Sequence, residues 1–105
     1  MIAKTPKPPY YAVVFTSIRT EGDLEYAEMA DKMIDLAEKQ EGFLGVESAR
    51  NELGITVSYW ESLEAIKKWK LHTAHSEARE KGRSMWYNAF KVRICKVEHE
   101  YGFEK

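Results

Sequence analysis

The residues whose types could do chemistry are concentrated between positions 60 and 87 of this chain. All three tryptophans and two of the three histidines lie there: Trp60, Trp69, Trp86, His72 and His75. An indole N–H donates hydrogen bonds, and an imidazole can donate, accept or titrate near neutral pH. These residue types suit proton transfer and the binding of flat aromatic ligands, so a functional site is expected in this stretch.

The sequence offers little support for metal or nucleotide chemistry. His72 and His75 are three residues apart and could approach one metal ion, but a third ligand would have to come from His99 or Glu98. Cys-x-x-Cys, His-Glu-x-x-His and glycine-rich phosphate loops are missing, as is the strand-turn-helix pattern that exposes a nucleophilic serine or cysteine. We therefore expect no metal and no cofactor.

Aromatic residues are predicted to line a cleft between a sheet and the second helix. Trp69 shares a helical stripe with Ala65 and Ile66, which places it toward the sheet. The other candidates for lining the cleft are Phe15, Tyr59, Trp60, Trp86 and Tyr87. Such a cleft would bind a flat apolar ligand, whereas the open alternative is that these side chains fill an ordinary core.

Composition narrows the class of protein. The 105 residues suit one domain, and 16 basic against 17 acidic residues give a net charge of -1 without the basic excess of a nucleic-acid binder. Cys95 is the single cysteine, which fits a reducing compartment. The apolar run from 10 to 15 falls far short of the roughly twenty residues of a membrane span. A cytoplasmic protein without nucleic-acid or membrane partners is expected.

The first half of the chain predicts an arm, a strand and a helix. Residues 1–9 carry three prolines and are predicted to form an extended arm before a single domain at 10–105. β-Branched and aromatic residues favour a strand over 10–19. Apolar residues at helical spacing then predict a helix over 24–40, which Gly42 ends.

The second half predicts a hairpin, a helix and a last strand. Strands over 43–50 and 55–60 are predicted to pair around a turn at 51–54. A helix is predicted from the N-cap Ser62 to about Lys81, and a long strand over 86–99. The order β-α-β-β-α-β indicates the α+β class and a ferredoxin-like fold, with an antiparallel sheet and two helices on one face.

The uncovered face of this sheet predicts a second copy of the chain. The first strand is apolar on both sides, and two helices can cover only one face. Two such sheets can pack face to face, so a homodimer is expected. The alternative is a monomer with one solvated face, which the polar residues Lys91 and Arg93 of the last strand favour.

The chain resembles the antibiotic biosynthesis monooxygenase (ABM) domain family over about residues 10 to 101. The motifs that carry the resemblance are Glu41 to Gly45, Tyr59 to Ile66, Trp69, His75, Ala78, Gly82, Trp86-Tyr87 and Val92 to Glu98. The resemblance implies a dimeric α+β barrel. It also implies a monooxygenase that uses molecular oxygen without a metal or flavin on a small aromatic, quinol-type phenol.

The resemblance also suggests roles for individual residues. Trp69 would be the catalytic indole donor over the substrate, and His75 or Tyr87 would accept or relay the phenolic proton. Phe15, Tyr59, Trp60 and Trp86 would bind the substrate.

Two alternatives to this function stay open. The haem-degrading branch of the family carries an Asn where this chain has Phe15 and a haem-ligating His where this chain has Arg79. A haem-binding or haem-degrading monooxygenase is therefore the second enzymatic alternative, after the cofactor-independent one. A protein that binds a small molecule without turnover is the third interpretation, because fold does not determine function.

Overall fold

The computed structural model of the protein describes residues 1–22, 26–72 and 85–105. The elements are β1 (Tyr10–Arg19), α1 (Tyr26–Glu38), β2 (Phe43–Arg50), β3 (Gly54–Trp60), α2 (Leu63–Leu71) and β4 (Tyr87–Val97). The strands form one antiparallel sheet in the order β2-β3-β1-β4. This topology confirms the predicted α+β class and ferredoxin-like arrangement.

The element boundaries agree closely with the sequence predictions. β1 and β2 have their predicted limits, whereas β3 begins one residue early, at Gly54. β4 ends at Val97 instead of residue 99, because Val97 pairs with Tyr10, the first residue of β1. The predicted first residues of α1 and the predicted end of the second helix at Lys81 and Gly82 lie outside the described residues.

The second helix begins where its capping residue predicts. The Ser62 hydroxyl accepts a hydrogen bond from the Ala65 amide at 3.1 Å, which satisfies one of the free N–H groups of the first turn. Within the described residues, α2 runs to Leu71, and the His72 amide donates to the Trp69 carbonyl at 3.1 Å. This start places Trp69 over the sheet.

Alternation along the strands separates a helix side from an open side. Ala37 of α1, Trp60 of β3 and Ile66 of α2 form the buried core together with Ala65, and Tyr11 and Val13 of β1 pack against it. Odd-numbered residues of β1 from Tyr11 to Ser17 therefore face the helices, and even-numbered ones face the open side.

The N-terminal arm lies across part of this open side. The Ala3 amide donates to the Glu47 carboxylate at 2.9 Å, and a Cβ on Gly45 would lie only 2.9 Å from the Ala3 Cβ. The Thr5 hydroxyl donates to the Glu100 carboxylate at 3.1 Å and is hydrogen-bonded to the Tyr10 hydroxyl at 3.0 Å. Arm, sheet and C-terminal segment are thus tied together on the open side.

Replacing Gly42 with alanine is expected to lower the free energy of unfolding by about 2 kcal/mol or more. Gly42 has φ +87°, a conformation that costs L-residues roughly 1–2 kcal/mol, and its Cβ would lie 2.6 Å from the Ala65 Cβ. Gly22→Ala is the control, because Gly22 has φ +84° with open space around it. Urea denaturation measures both, and equal losses at the two positions would contradict the close packing of Gly42 on α2.

Candidate active site

A tryptophan cluster, made of Trp60, Trp69 and His72, lies between the sheet and α2. The Trp60 and Trp69 rings stack with centroids 6.0 Å apart, and the His72 ring lies 5.8 Å from Trp69. Trp60 has no solvent exposure, and its indole N–H donates to the Ser58 hydroxyl at 2.9 Å. Trp60 is therefore part of the core. Trp69 lies between Trp60 and His72, the residue that follows α2.

His72 contributes a buried nitrogen to this cluster. The sequence places His72 beside the apolar stripe of the helix. In the structure its Nδ1 is buried and has no hydrogen-bond partner among the described residues. No group of three His, Cys, Asp or Glu side chains suited to a metal ion occurs in residues 1–22, 26–72 and 85–105. The His72 imidazole thus lies on the helix side of the sheet and is not part of a metal-ligand cluster within the described residues.

A tyrosine cluster, made of Phe15, Tyr26, Trp86, Tyr87 and Phe90, lies on the same side of the sheet near the start of β4. Phe15 stacks on Phe90 at 5.4 Å and meets the edge of Tyr87 at 5.4 Å. Tyr26 of α1 makes edge contacts with Trp86 at 5.9 Å and Tyr87 at 5.7 Å. The Tyr87 hydroxyl donates to the Tyr26 hydroxyl at 3.2 Å. Two phenol groups thus form a hydrogen-bonded chain beside an aromatic surface.

Two arginines place positive charge on this cluster. The Arg19 guanidinium lies 3.8 Å from the Tyr26 ring centroid, and the Arg50 guanidinium lies 5.7 Å from it. Arg50 also donates to the hydroxyl of Ser17, which is 1% exposed. Gly54, opposite Arg50 in the hairpin, leaves the space that the guanidinium occupies, since a Cβ there would overlap its atoms. The Arg50 side chain is therefore held over the sheet.

The protonation of Tyr87 determines what this cluster can do. Burial and the hydrogen bond with Tyr26 raise the pKa of Tyr87 well above its ordinary value of 10.0, although the charges of Arg50 and Arg19 oppose the rise. The hydroxyl stays neutral at physiological pH, so Tyr87 is a poor general base. Of the two roles expected from the resemblance, to accept or to relay the phenolic proton, a neutral hydroxyl is suited to the relay.

Apolar residues of β4 extend the surface between the two clusters. Val92 and Ile94 face the helix side opposite Phe15 and Val13, and they are 47% and 49% exposed. The strand pairs Tyr11 with Trp60 and Ser17 with Gly54 mark the two ends of this surface, about 20 Å apart at 3.3 Å per residue. The surface is long enough for a ligand of two or more fused rings.

Tyr59 lies on the opposite face of the sheet from the other candidate residues. Its ring contacts Tyr10 at 5.9 Å, and its hydroxyl donates to Glu47 at 2.5 Å. Partial burial and the Glu47 hydrogen bond raise the pKa of Tyr59 to about 12. Tyr59 and Trp60 were both predicted to line one cleft. Successive strand residues face opposite sides of the sheet, so the two side chains cannot line the same cleft within one chain.

Acidification is expected to weaken the attachment of the arm. Hydrogen bonds from Tyr59 and then from the Ala3 amide lower the pKa of Glu47 below its ordinary value of 4.5. The folded state therefore gains stability from ionised Glu47 above that value and loses it as pH falls through the lowered pKa. An NMR titration that follows the Ala3 amide shift should give a Glu47 pKa below 4.5, and Tyr59→Phe should raise it. A value at or above 4.5 in the unchanged protein would contradict these contacts.

The structure divides the residues predicted for the site into separate groups. Trp69 joins Trp60, while Phe15, Trp86 and Tyr87 come together in the tyrosine cluster. His75 lies outside the described residues. Sequence reasoning missed four residues of the site: Ser17, Arg19, Tyr26 and Arg50. A polar serine inside an apolar strand was the one signal available for them.

Comparison with known proteins places the chain in a family. The antibiotic biosynthesis monooxygenase family profile matches residues 9–81. "Uncharacterized protein YqjZ" of Bacillus subtilis (strain 168) is 52% identical over 106 residues, which cover 99% of this chain and 93% of that protein. The described helices include none long and apolar enough to cross a membrane.

Solved structures share the fold at low sequence identity. SnoaB, a cofactor-independent oxygenase from Streptomyces nogalater, superposes with a TM-score of 0.76 at 9% identity, covering 89% of this chain and 97% of its own. Rv0793 from Mycobacterium tuberculosis gives a TM-score of 0.78 at 11% identity, covering 89% and 99%. The profile match over most of the chain and this shared fold agree, and the chain belongs to the antibiotic biosynthesis monooxygenase family.

Proposed function

We propose that this protein is a cofactor-independent monooxygenase that acts on a small phenolic, quinol-type aromatic. The observation that carries the proposal is the family match over residues 9–81. The tyrosine cluster on the helix side supports it, because its aromatic surface, hydroxyl chain and two guanidinium groups suit a phenol that becomes an anion during the reaction. SnoaB, which has the same fold, is described as a cofactor-independent oxygenase.

The chemistry needs no reductant from outside. An electron-rich phenol loses its proton, and the phenolate transfers one electron to molecular oxygen. The substrate radical and superoxide then combine through a new C–O bond, and the peroxide takes up the phenolic proton. The O–O bond then breaks, and the hydroxide leaves with the proton of the neighbouring C–H bond as water, which gives the quinone. The substrate loses two hydrogen atoms and gains one oxygen atom, and the second oxygen atom leaves as water. The protein has to bind, orient and stabilise the developing anion.

The described residues are assigned roles in this reaction. Phe15 and Phe90 hold the flat face of the substrate, and Trp69 bounds the other end of the surface. The Tyr87 hydroxyl donates to Tyr26, whose own O–H is then oriented to donate to the phenolate oxygen. His75 remains the proposed acceptor of the phenolic proton, because Tyr87 stays protonated.

A homodimer is part of the proposal. Exposed apolar side chains on the open side support it, since Ile18 is 47% and Ile55 is 41% exposed. The occupant of that side would be a second copy, packed sheet to sheet beside the arm. Sedimentation equilibrium should give twice the chain mass of 12.2 kDa. A single-chain mass at micromolar concentration would contradict this part of the proposal.

Incubation with anthrone, under air and under argon, tests the proposed activity. Protein dialysed against a chelator and freed of flavin should form anthraquinone faster than buffer alone, and only under air. Formation at the rate of buffer, or only after iron or flavin is added, would contradict the proposal. Tight binding of anthrone without oxygen uptake would favour the non-catalytic alternative, and a Soret shift on haem titration would favour the haem-binding one.

A further inference from the structure

We infer that the substrate carries an anionic group, a carboxylate on its aromatic ring system, and that Arg50 binds this group at the end of the helix-side surface. The inference rests on the proposed function in one respect: the ligand is taken to be the aromatic substrate. It goes further by naming the second chemical group that the substrate must have.

The position of Arg50 follows from the strand register. Ser17 pairs with Gly54, and Gly54 pairs with Arg50, so the three residues lie side by side across β1, β3 and β2. Ser17 faces the same side as Phe15, two residues earlier. The Arg50 guanidinium is therefore on the helix side, beside Ser17, which lies about 7 Å along β1 from Phe15. That spacing fits a carboxylate attached to a fused aromatic ring.

The surroundings of Arg50 hold the guanidinium in place without neutralising it. In the described part of the chain its polar and ring contacts are with the Ser17 hydroxyl and the Tyr26 ring, both neutral. Gly54 provides the space that it fills. A guanidinium held between two neutral groups is a position at which a bound anion would gain charge-assisted hydrogen bonds.

The geometry of an arginine suits a carboxylate better than a bare charge would. A guanidinium presents five donors in a planar fork, and one of them is used by Ser17. The remaining donors can form paired hydrogen bonds with a carboxylate. Arg50 is an exposed residue, so a ligand has access to it from solvent. Gly54 acts through Arg50 and is a positioning residue.

Binding of a matched pair of probes tests the inference. Isothermal titration should show that 3-hydroxy-2-naphthoate binds about 10-fold more tightly than 2-naphthol, and that added NaCl reduces the difference. Arg50→Gln should remove the preference. Gly54→Ala should also reduce it, although the charge is kept. Lys32→Gln, which removes a positive charge from the exposed face of α1, should keep it.

The results separate this inference from the proposed function. Equal affinity for the two probes, failure of both to bind, or a preference that survives both Arg50→Gln and Gly54→Ala would overturn the inference. Thermal melting of each variant identifies any that fail to fold. If Arg50→Gln fails to fold, Arg50→Lys is used in its place. Lysine keeps the positive charge but lacks the planar fork of donors, so this variant should weaken the preference. An Arg50-dependent preference without anthrone oxidation would contradict only the activity. Anthrone oxidation without the preference would contradict only the role of Arg50.

Discussion

Replacing Trp60 with alanine is expected to lower the free energy of unfolding by about 3–5 kcal/mol, the usual cost of removing a buried tryptophan. Trp60 is fully buried, stacks on Trp69 and meets the edge of Phe43 at 5.4 Å. Its removal leaves a cavity between sheet and α2 and leaves the Ser58 hydroxyl without its indole donor. Urea denaturation followed by circular dichroism measures the loss.

A matched control separates core packing from a general loss of hydrophobicity. Leu71→Ala removes a large apolar side chain that is 71% exposed, and it should change stability by less than about 0.5 kcal/mol. If Trp60→Ala cost no more than Leu71→Ala, Trp60 would not be the centre of the core. The interpretation of Trp60 as a residue that contacts substrate would then regain support.

Replacing Tyr87 with phenylalanine is expected to lower kcat for oxidation of a phenol by about 10²-fold, with little change in KM. The variant keeps the ring that contacts Phe15 and loses only the hydroxyl that donates to Tyr26. The effect is expected on kcat because the proposed role of the hydroxyl chain is to stabilise charge that develops in the transition state. Initial rates of oxygen uptake over a range of substrate concentrations measure both constants.

The same substitution at Tyr59 provides the contrast. Tyr59→Phe also removes one hydroxyl, but that hydroxyl bonds Glu47 on the open side of the sheet. It is expected to leave kcat unchanged, whereas the Tyr87 variant is slowed. A large loss of kcat in Tyr59→Phe together with none in Tyr87→Phe would move the chemistry to the other face and contradict the site described above.

The fold was predictable from the sequence because local signals determine its elements. Proline content predicted an arm without helix, Ser62 marked the start of α2, and Gly42 marked the step from α1 into β2. β-Branched and aromatic residues predicted the first strand, and the order of elements predicted the sheet. β3 begins at Gly54 and not at the predicted residue 55, because Gly54 pairs with Arg50 in the hairpin.

The site was less predictable because its residues meet only through tertiary structure. Tyr26 fitted the apolar stripe of a helix, and nothing in its spacing indicates a hydrogen bond with Tyr87, 61 residues away. Arg50 is in the site because Gly54 leaves room across the hairpin. Tyr59 is a different case, since strand alternation alone separates it from Trp60. The raised pKa of Tyr87 depends on burial, which no spacing pattern reveals.

In the proposed reaction, the protein brings a bound phenol and molecular oxygen together without a cofactor. Anthrone oxidation under ¹⁸O₂, with chelated and flavin-free protein, tests it through the rate and the mass of the quinone. We expect a product that carries one ¹⁸O atom and forms about 10-fold faster than in buffer alone, a modest fraction of usual enzymatic accelerations. Formation at the spontaneous rate, or a product whose new oxygen comes from water, would contradict it.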